Sequence, residues 1–114
     1  MKIVNSRNKN LLASDVILAD SLLKRVKGLL GRKDFPLGSA MIIKPCNSVH
    51  TFFMQFPIDL VFMAKDNKVI KSVNSLPPNR LTSICLSAYY VIELPAGTLS
   101  KTSTLPTDLL EFTQ

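Results

Sequence analysis

The chain has 114 residues, 46% of them hydrophobic, and carries a formal charge of +6 at pH 7. That length is one domain's worth, and that apolar share excludes an intrinsically disordered chain. No apolar run approaches the roughly 20 residues of a membrane-spanning helix, and no signal-like apolar stretch follows Lys2, so a single cytosolic domain over 1–114 is expected.

Residues 2–5 and 15–19 read as short strands, with polar Asn8-Lys9-Asn10 suited to a turn between them. Stepped at about 100° per residue, Leu22, Leu23, Val26, Leu29 and Leu30 share one stripe, which predicts an amphipathic helix. Asp20 or Ser21 can cap its start, and Gly31 suits its end. Lys24 and Lys27 fall opposite the stripe, as on a solvated outer face. Together with Arg25, Arg32 and Lys33 they form the one dense basic group, but no aromatic residues are interleaved to stack on bases. Nucleic acid is therefore disfavoured as a partner.

The stretch from Lys33 to Gly38, with Pro36, reads as a loop, and 40–43 as a short apolar strand stopped by Pro45. The β-branched and aromatic content of 48–54 favours extended structure, and Pro57 ends it. Residues 58–64 are apolar except for Asp59, which predicts a strand buried on both faces. Asp66-Asn67 is a hairpin turn, after which 68–73 return antiparallel. Pro77 to Arg80 make an exposed loop, and 88–94 a further strong strand containing Glu93. Pro95-Ala96-Gly97 starts a turn that can run into one helical turn through Lys101, and 109–112 can close the sheet. The fold class expected is mainly β (β-rich α+β), an antiparallel barrel or sandwich of short strands with one amphipathic helix.

Cys46 and Cys85 lie far apart in sequence and are expected to be free thiols. Cys46 and His50 have metal-ligand spacing, but no second close pair completes a four-ligand set, so neither metal nor cofactor is implied. The informative residues are polar ones in apolar company: His50, Asp59 and Glu93. Each must be paired, hydrogen-bonded or near water, because burying a lone charge is costly. Asp59, at a strand mouth, can accept backbone N–H groups; Glu93 can meet an arginine such as Arg25 or Arg32. His50, the one histidine, either joins Asp59 or Glu93 as an acid–base pair or simply packs on a backbone carbonyl. Phe52, Phe53, Met54 and Phe56 concentrate soft apolar surface beside it, as a ligand pocket would. No nucleophile elbow and no phosphate-cradling glycine loop is present.

Three blocks, in order, resemble the family of small bacterial and archaeal proteins catalogued as domain of unknown function 192. Arg25-Val26-Lys27-Gly28-Leu29-Leu30-Gly31-Arg32 is similar to its R-x-x-G-L-x-G-R helix end. The stretch from Met41 through Val49-His50-Thr51-Phe52-Phe53-Met54-Gln55-Phe56-Pro57-Ile58-Asp59-Leu60-Val61-Phe62 resembles its segment ending in P-I-D-x-x-F, and Val91-Ile92-Glu93-Leu94-Pro95-Ala96-Gly97 its L-E-L-P-A-G block. The chain departs from the family pattern at Pro106-Thr107-Asp108, where a Gly-Asp turn is usual. The resemblance implies a β-rich barrel or sandwich with one helix and no assigned activity. A site is expected where the blocks converge: Arg32, His50, Thr51, Met54, Phe56, Asp59 and Glu93. Its first reading is a non-catalytic binding domain with a cleft, floored by Phe53, Met54 and Phe56, for a small ligand or a partner peptide. The second is a hydrolase-like enzyme using His50 with Asp59 or Glu93, and the third a weak nucleic-acid binder through the basic helix.

Overall fold

A computed structural model describes the chain from Met1 to Gln114. Its elements in order are β1 (Lys2–Asn5), β2 (Leu11–Ala19), α1 (Leu22–Lys27), β3 (Gly38–Ile43), β4 (Ile58–Met63), β5 (Val69–Leu76), β6 (Tyr90–Pro95), α2 (Thr98–Thr102) and β7 (Leu110–Thr113). The near-continuous apolar runs of β4 and β6 leave no polar face for water, and every residue of both strands is buried. They pair with each other at the centre of a seven-stranded sheet ordered β5-β4-β6-β3-β2-β1-β7.

The two outer edges of that sheet meet. Val69 N donates to Asp108 O at 2.8 Å and Leu110 N to Asn67 O at 3.0 Å, so β5 and β7 are stitched together and the sheet closes into a barrel. That junction, around the isolated bridge from Lys68 to Leu109, shortens the exposed edges that would otherwise template aggregation. Ile3, Leu12, Ala40, Val61, Ile92 and Leu110, one from each of six strands, fill the interior. The alternate residues of β3, β4 and β6, among them Met41, Ile43, Leu60, Phe62 and Val91, form a second buried cluster on the outside.

The mainly β class, the hairpin at Asp66-Asn67 and the strand buried on both faces are as the sequence leads one to expect. Three details differ. First, the sheet is mixed: β2 and β3 run parallel, while every other pairing is antiparallel. The crossover through α1 carries the chain from the end of β2 back to the end where β2 began, so β3 runs beside it in the same direction.

Second, 48–54 is not a strand. It is a loop with one isolated bridge, His50 to Leu81, and Phe53 sits at a φ of 66° with 84% of its surface exposed. Both neighbours of β4 are already taken by β5 and β6, so the loop has no edge to join and lies over the outer face instead.

Third, α1 does not bury its predicted stripe: Leu22 and Leu23 are 69% and 82% exposed, while the helical turn expected after Gly97 is present as α2. Ser21 caps α1 by accepting from Lys24 N at 3.3 Å, but the helix stops after six residues at Gly28, whose φ is 47°. The lower half of the stripe therefore leaves the helix, and it is Leu29, past the turn, that packs inward.

A polar network holds the closure. Asp108 accepts from Asn5 Nδ2 at 2.9 Å, Arg7 Nε at 2.7 Å and Leu105 N at 2.8 Å, linking β1, the turn after it and the approach to β7. The hydrogen bond from Arg7 leads in holding the Asp108 carboxyl below the usual carboxylate range, and those from Asn5 and Leu105 add to it. Its stabilisation is thus fully present at neutral pH and is lost only as pH falls through and below the ordinary carboxylate pKa. Asp108→Asn is expected to lower stability by about 2 kcal/mol in urea unfolding at pH 7, with the gap closing only below about pH 4. An unchanged unfolding midpoint at pH 7 would show the network to be idle.

Candidate functional site

The outer face of β3, β4 and β6 needs a cover, and three segments supply it: α1 with the turn after it, the β3–β4 loop and the β5–β6 loop. Between α1 and the β3–β4 loop the cover leaves a cavity of about 280 Å³, lined by Arg25, Leu29, Ile43, Cys46, Val49, His50, Met54 and Glu93 among others. That volume lies at the small end of ligand-pocket sizes.

Glu93 is the one acidic residue of the lining. Strand alternation puts it on the outer face of β6, in register with Met41 of β3 and Leu60 of β4. It is only 3% exposed, and its Oε1 finds no hydrogen-bond partner in the protein. Burial pushes its carboxyl up from 4.5 to about 8, so the neutral form prevails at pH 7.

Arg25 reaches the same cavity from α1. Its Nη1 donates to the Pro45 carbonyl at 3.4 Å, while its Nε is buried and likewise unpartnered. No ion pair joins Arg25 to Glu93; the single salt bridge of the structure is Arg7–Asp108. The cavity wall therefore presents two polar groups that the protein itself leaves unsatisfied, in a setting where such groups are normally bonded.

Lys27, Cys46, Ser48 and His50 complete the polar lining. Cys46 Sγ donates to the Ser48 carbonyl at 3.1 Å, and burial pushes its thiol up, with Glu93 adding to the rise. At neutral pH it stays a thiol, the unreactive form. The His50 ring stacks on Phe52 at a centroid distance of 5.4 Å. Cys46 and Cys85 are both free, and no three His, Cys, Asp or Glu side chains come together as a metal-ligand set.

Of the residues singled out in the sequence, His50, Met54 and Glu93 share this cavity, and four stand elsewhere. Asp59 is wholly buried and spends both oxygens on backbone, accepting from Ser75 N at 2.8 Å and Leu99 N at 2.9 Å. It ties β4 to β5 and to α2, as a carboxylate at a strand mouth can. Thr51 is equally committed: its hydroxyl donates to Pro77 O at 2.7 Å and accepts from Arg80 N at 2.9 Å, clamping the β5–β6 loop. Phe56 stacks on Phe35 at 6.0 Å, and Arg32 lines a neighbouring cleft with Leu18 and Met41. Phe53 is out in solvent, so Met54 alone of the three expected floor residues lines the cavity. Cys46 was visible in the sequence only as a cysteine four residues before His50, a spacing that suggested metal and gave no hint of the cavity.

A closed mixed β barrel whose outer face carries a small, mostly apolar cavity with a buried carboxyl is the class of protein these features define. The family model described as "Uncharacterized ACR", domain of unknown function 192, matches residues 3–112, and the chain belongs to that family. A UPF0127 protein of Pyrococcus horikoshii is 34% identical over 100 residues, covering 83% of this chain and 84% of its own. Another, from Pyrococcus furiosus, is 32% identical over 103 residues, covering 86% of each. The fold recurs in the crystal structure of a protein of unknown function from Novosphingobium aromaticivorans, with a TM-score of 0.83 at 18% identity over 97% of this chain and 82% of that one. These likenesses establish family and fold and bring no assigned activity with them. No helix of the structure is long and apolar enough to cross a membrane.

The raised carboxyl has a thermodynamic consequence. Between pH 4.5 and about 8 the unfolded chain ionises Glu93 while the folded chain keeps its proton, so stability falls as pH rises through that window. Glu93→Gln is expected to flatten this slope and to be the more stable protein at pH 8.5, by on the order of a few kcal/mol in denaturant unfolding. Parallel pH–stability curves for the two proteins would contradict the assignment.

Proposed function

We propose that the chain is a non-catalytic binding domain, and that the cavity between α1 and the outer face of β6 takes a small ligand. The observation that carries this reading is Glu93 Oε1, a buried carboxyl oxygen on the wall of an apolar cavity with no partner in the protein. An uncompensated polar group costs about 1–3 kcal/mol, a cost that a structural role would avoid by substitution with an apolar residue. Asp59 shows the contrast: it is just as buried, and both of its oxygens are bonded.

Hydrolysis by His50 with Glu93 is the weaker reading. Cys46, the thiol of the lining, donates to the Ser48 carbonyl and is held protonated, while His50 stacks on Phe52. A nucleophile needs an adjacent base that lowers its pKa, and the shift here runs the other way. Free thiols at Cys46 and Cys85 support a reducing compartment, and with it a cytosolic location.

Titration of the ¹⁵N-labelled protein with small organic fragments, neutral, acidic and basic, tests the binding reading. Saturable amide shifts clustered at Leu29, Val49, Met54 and Glu93 are the expected result. Fragments that shift nothing, or only residues outside the cavity, would overturn it.

A further inference from the structure

The lining of the cavity also says what kind of ligand fits, given the binding reading above on which this inference rests. Its polar atoms are unequal. Arg25 carries a permanent charge and an unpartnered Nε, Lys27 adds a second cation at the edge, and Glu93 is the sole acid. Burial keeps Glu93 protonated at neutral pH, so its carboxyl can donate through its O–H while the guanidinium donates through Nε. The remaining lining is largely aliphatic and thioether surface.

We infer that the ligand is a small organic monocarboxylate with an apolar body, its carboxylate held between Arg25 Nε and the Glu93 carboxyl and its body lying against Leu29, Ile43, Val49 and Met54. A cationic ligand meets the wrong field, because Arg25 and Lys27 repel it and Glu93 offers no charge to offset them. A neutral ligand can satisfy the hydrogen bonds but leaves Arg25 without a counter-charge, and hydrogen bonds to a charged partner are about twice as strong as neutral ones. A dianion is disfavoured by the same cavity: just over half of its lining residues are hydrophobic, and Arg25 is the one cation with a buried, unpartnered donor there to meet a negative charge.

The pH dependence follows from the groups that face Glu93. These are Arg25 and Lys27 on α1, and Cys46 and His50 on the β3–β4 loop. Above about pH 8 Glu93 ionises, turning from a donor into a like charge beside the bound carboxylate. Glu93→Gln removes this one group and leaves the others in place, so a pH dependence that disappears in that variant belongs to Glu93.

The experiment uses three probes of one length: hexanoate, hexanamide and hexylamine, each titrated by calorimetry and by ¹⁵N amide shifts at pH 7 and pH 9.5. Hexanoate is expected to bind best at pH 7 and to lose about tenfold or more in affinity at pH 9.5. Glu93→Gln should keep the binding, since glutamine still donates, and should abolish its pH dependence. Arg25→Met, altered at a half-exposed position on a surface helix, should weaken hexanoate about tenfold or more. Hexylamine binding in the cavity more tightly than hexanoate, or hexanoate binding unaltered in Arg25→Met, would overturn the monocarboxylate class while leaving a binding cavity in place. Failure of all three probes to shift cavity residues would remove both the class and the binding reading.

Discussion

The rest of this structure depends on the burial of three strands on both faces. β3, β4 and β6 are apolar at nearly every position, so one side of each must face the barrel interior and the other must find a cover. Closing the sheet satisfies the interior, where large aliphatic side chains from all round the barrel meet. It does nothing for Met41, Ile43, Leu60, Phe62 and Val91, which point outward. The long connections before β3, between β3 and β4 and between β5 and β6 exist to cover them. A cover assembled from loops and a helix of six residues is looser than a second sheet would be, and the cavity lies within it.

Within that covered face Glu93 is the residue that does not belong. Its register neighbours are Met41 and Leu60, and an apolar side chain there would remove an unsatisfied buried oxygen. Function commonly sits where a local rule of folding is broken without a structural gain. The other buried acids obey the rule. Asp59 joins two strands and a helix through backbone N–H groups, and Asp108 joins the ends of the chain through Asn5 and Arg7. The difference between these carboxylates is the difference between scaffold and site: two are bonded in full and one is held in reserve.

Much of the fold could be read from the sequence because its signals are local. The double-faced burial of 58–63, the turn at Asp66-Asn67 and the Ser21 cap are each set by a few adjacent residues. The parallel pairing of β2 with β3 was not legible, since it arises from where α1 sends the chain. The loop character of 48–54 was not legible either: the segment has strand-like residues, but the sheet offers no free edge for them. At the site, Glu93 and His50 stood out as polar residues in apolar company, and Met54 as soft surface beside them. Asp59 and Thr51 gave the same signal for a different reason, and only their hydrogen-bond partners, from 16 to 40 residues away in sequence, reveal it. Arg25 was legible as an arginine that Glu93 can meet, and the two do share one cavity, though without an ion pair between them.

The claim on which the account turns is that Glu93 is a neutral carboxylic acid in the folded protein at pH 7. A ¹³C NMR titration of the glutamate side-chain carboxyls, with the Glu93 signal assigned by its loss in Glu93→Gln, measures this directly. The account predicts a midpoint near 8 for that one signal. A midpoint in the ordinary glutamate range, about 4–5, would mean that the carboxylate is solvated or paired, and would contradict the reading of the cavity built upon it.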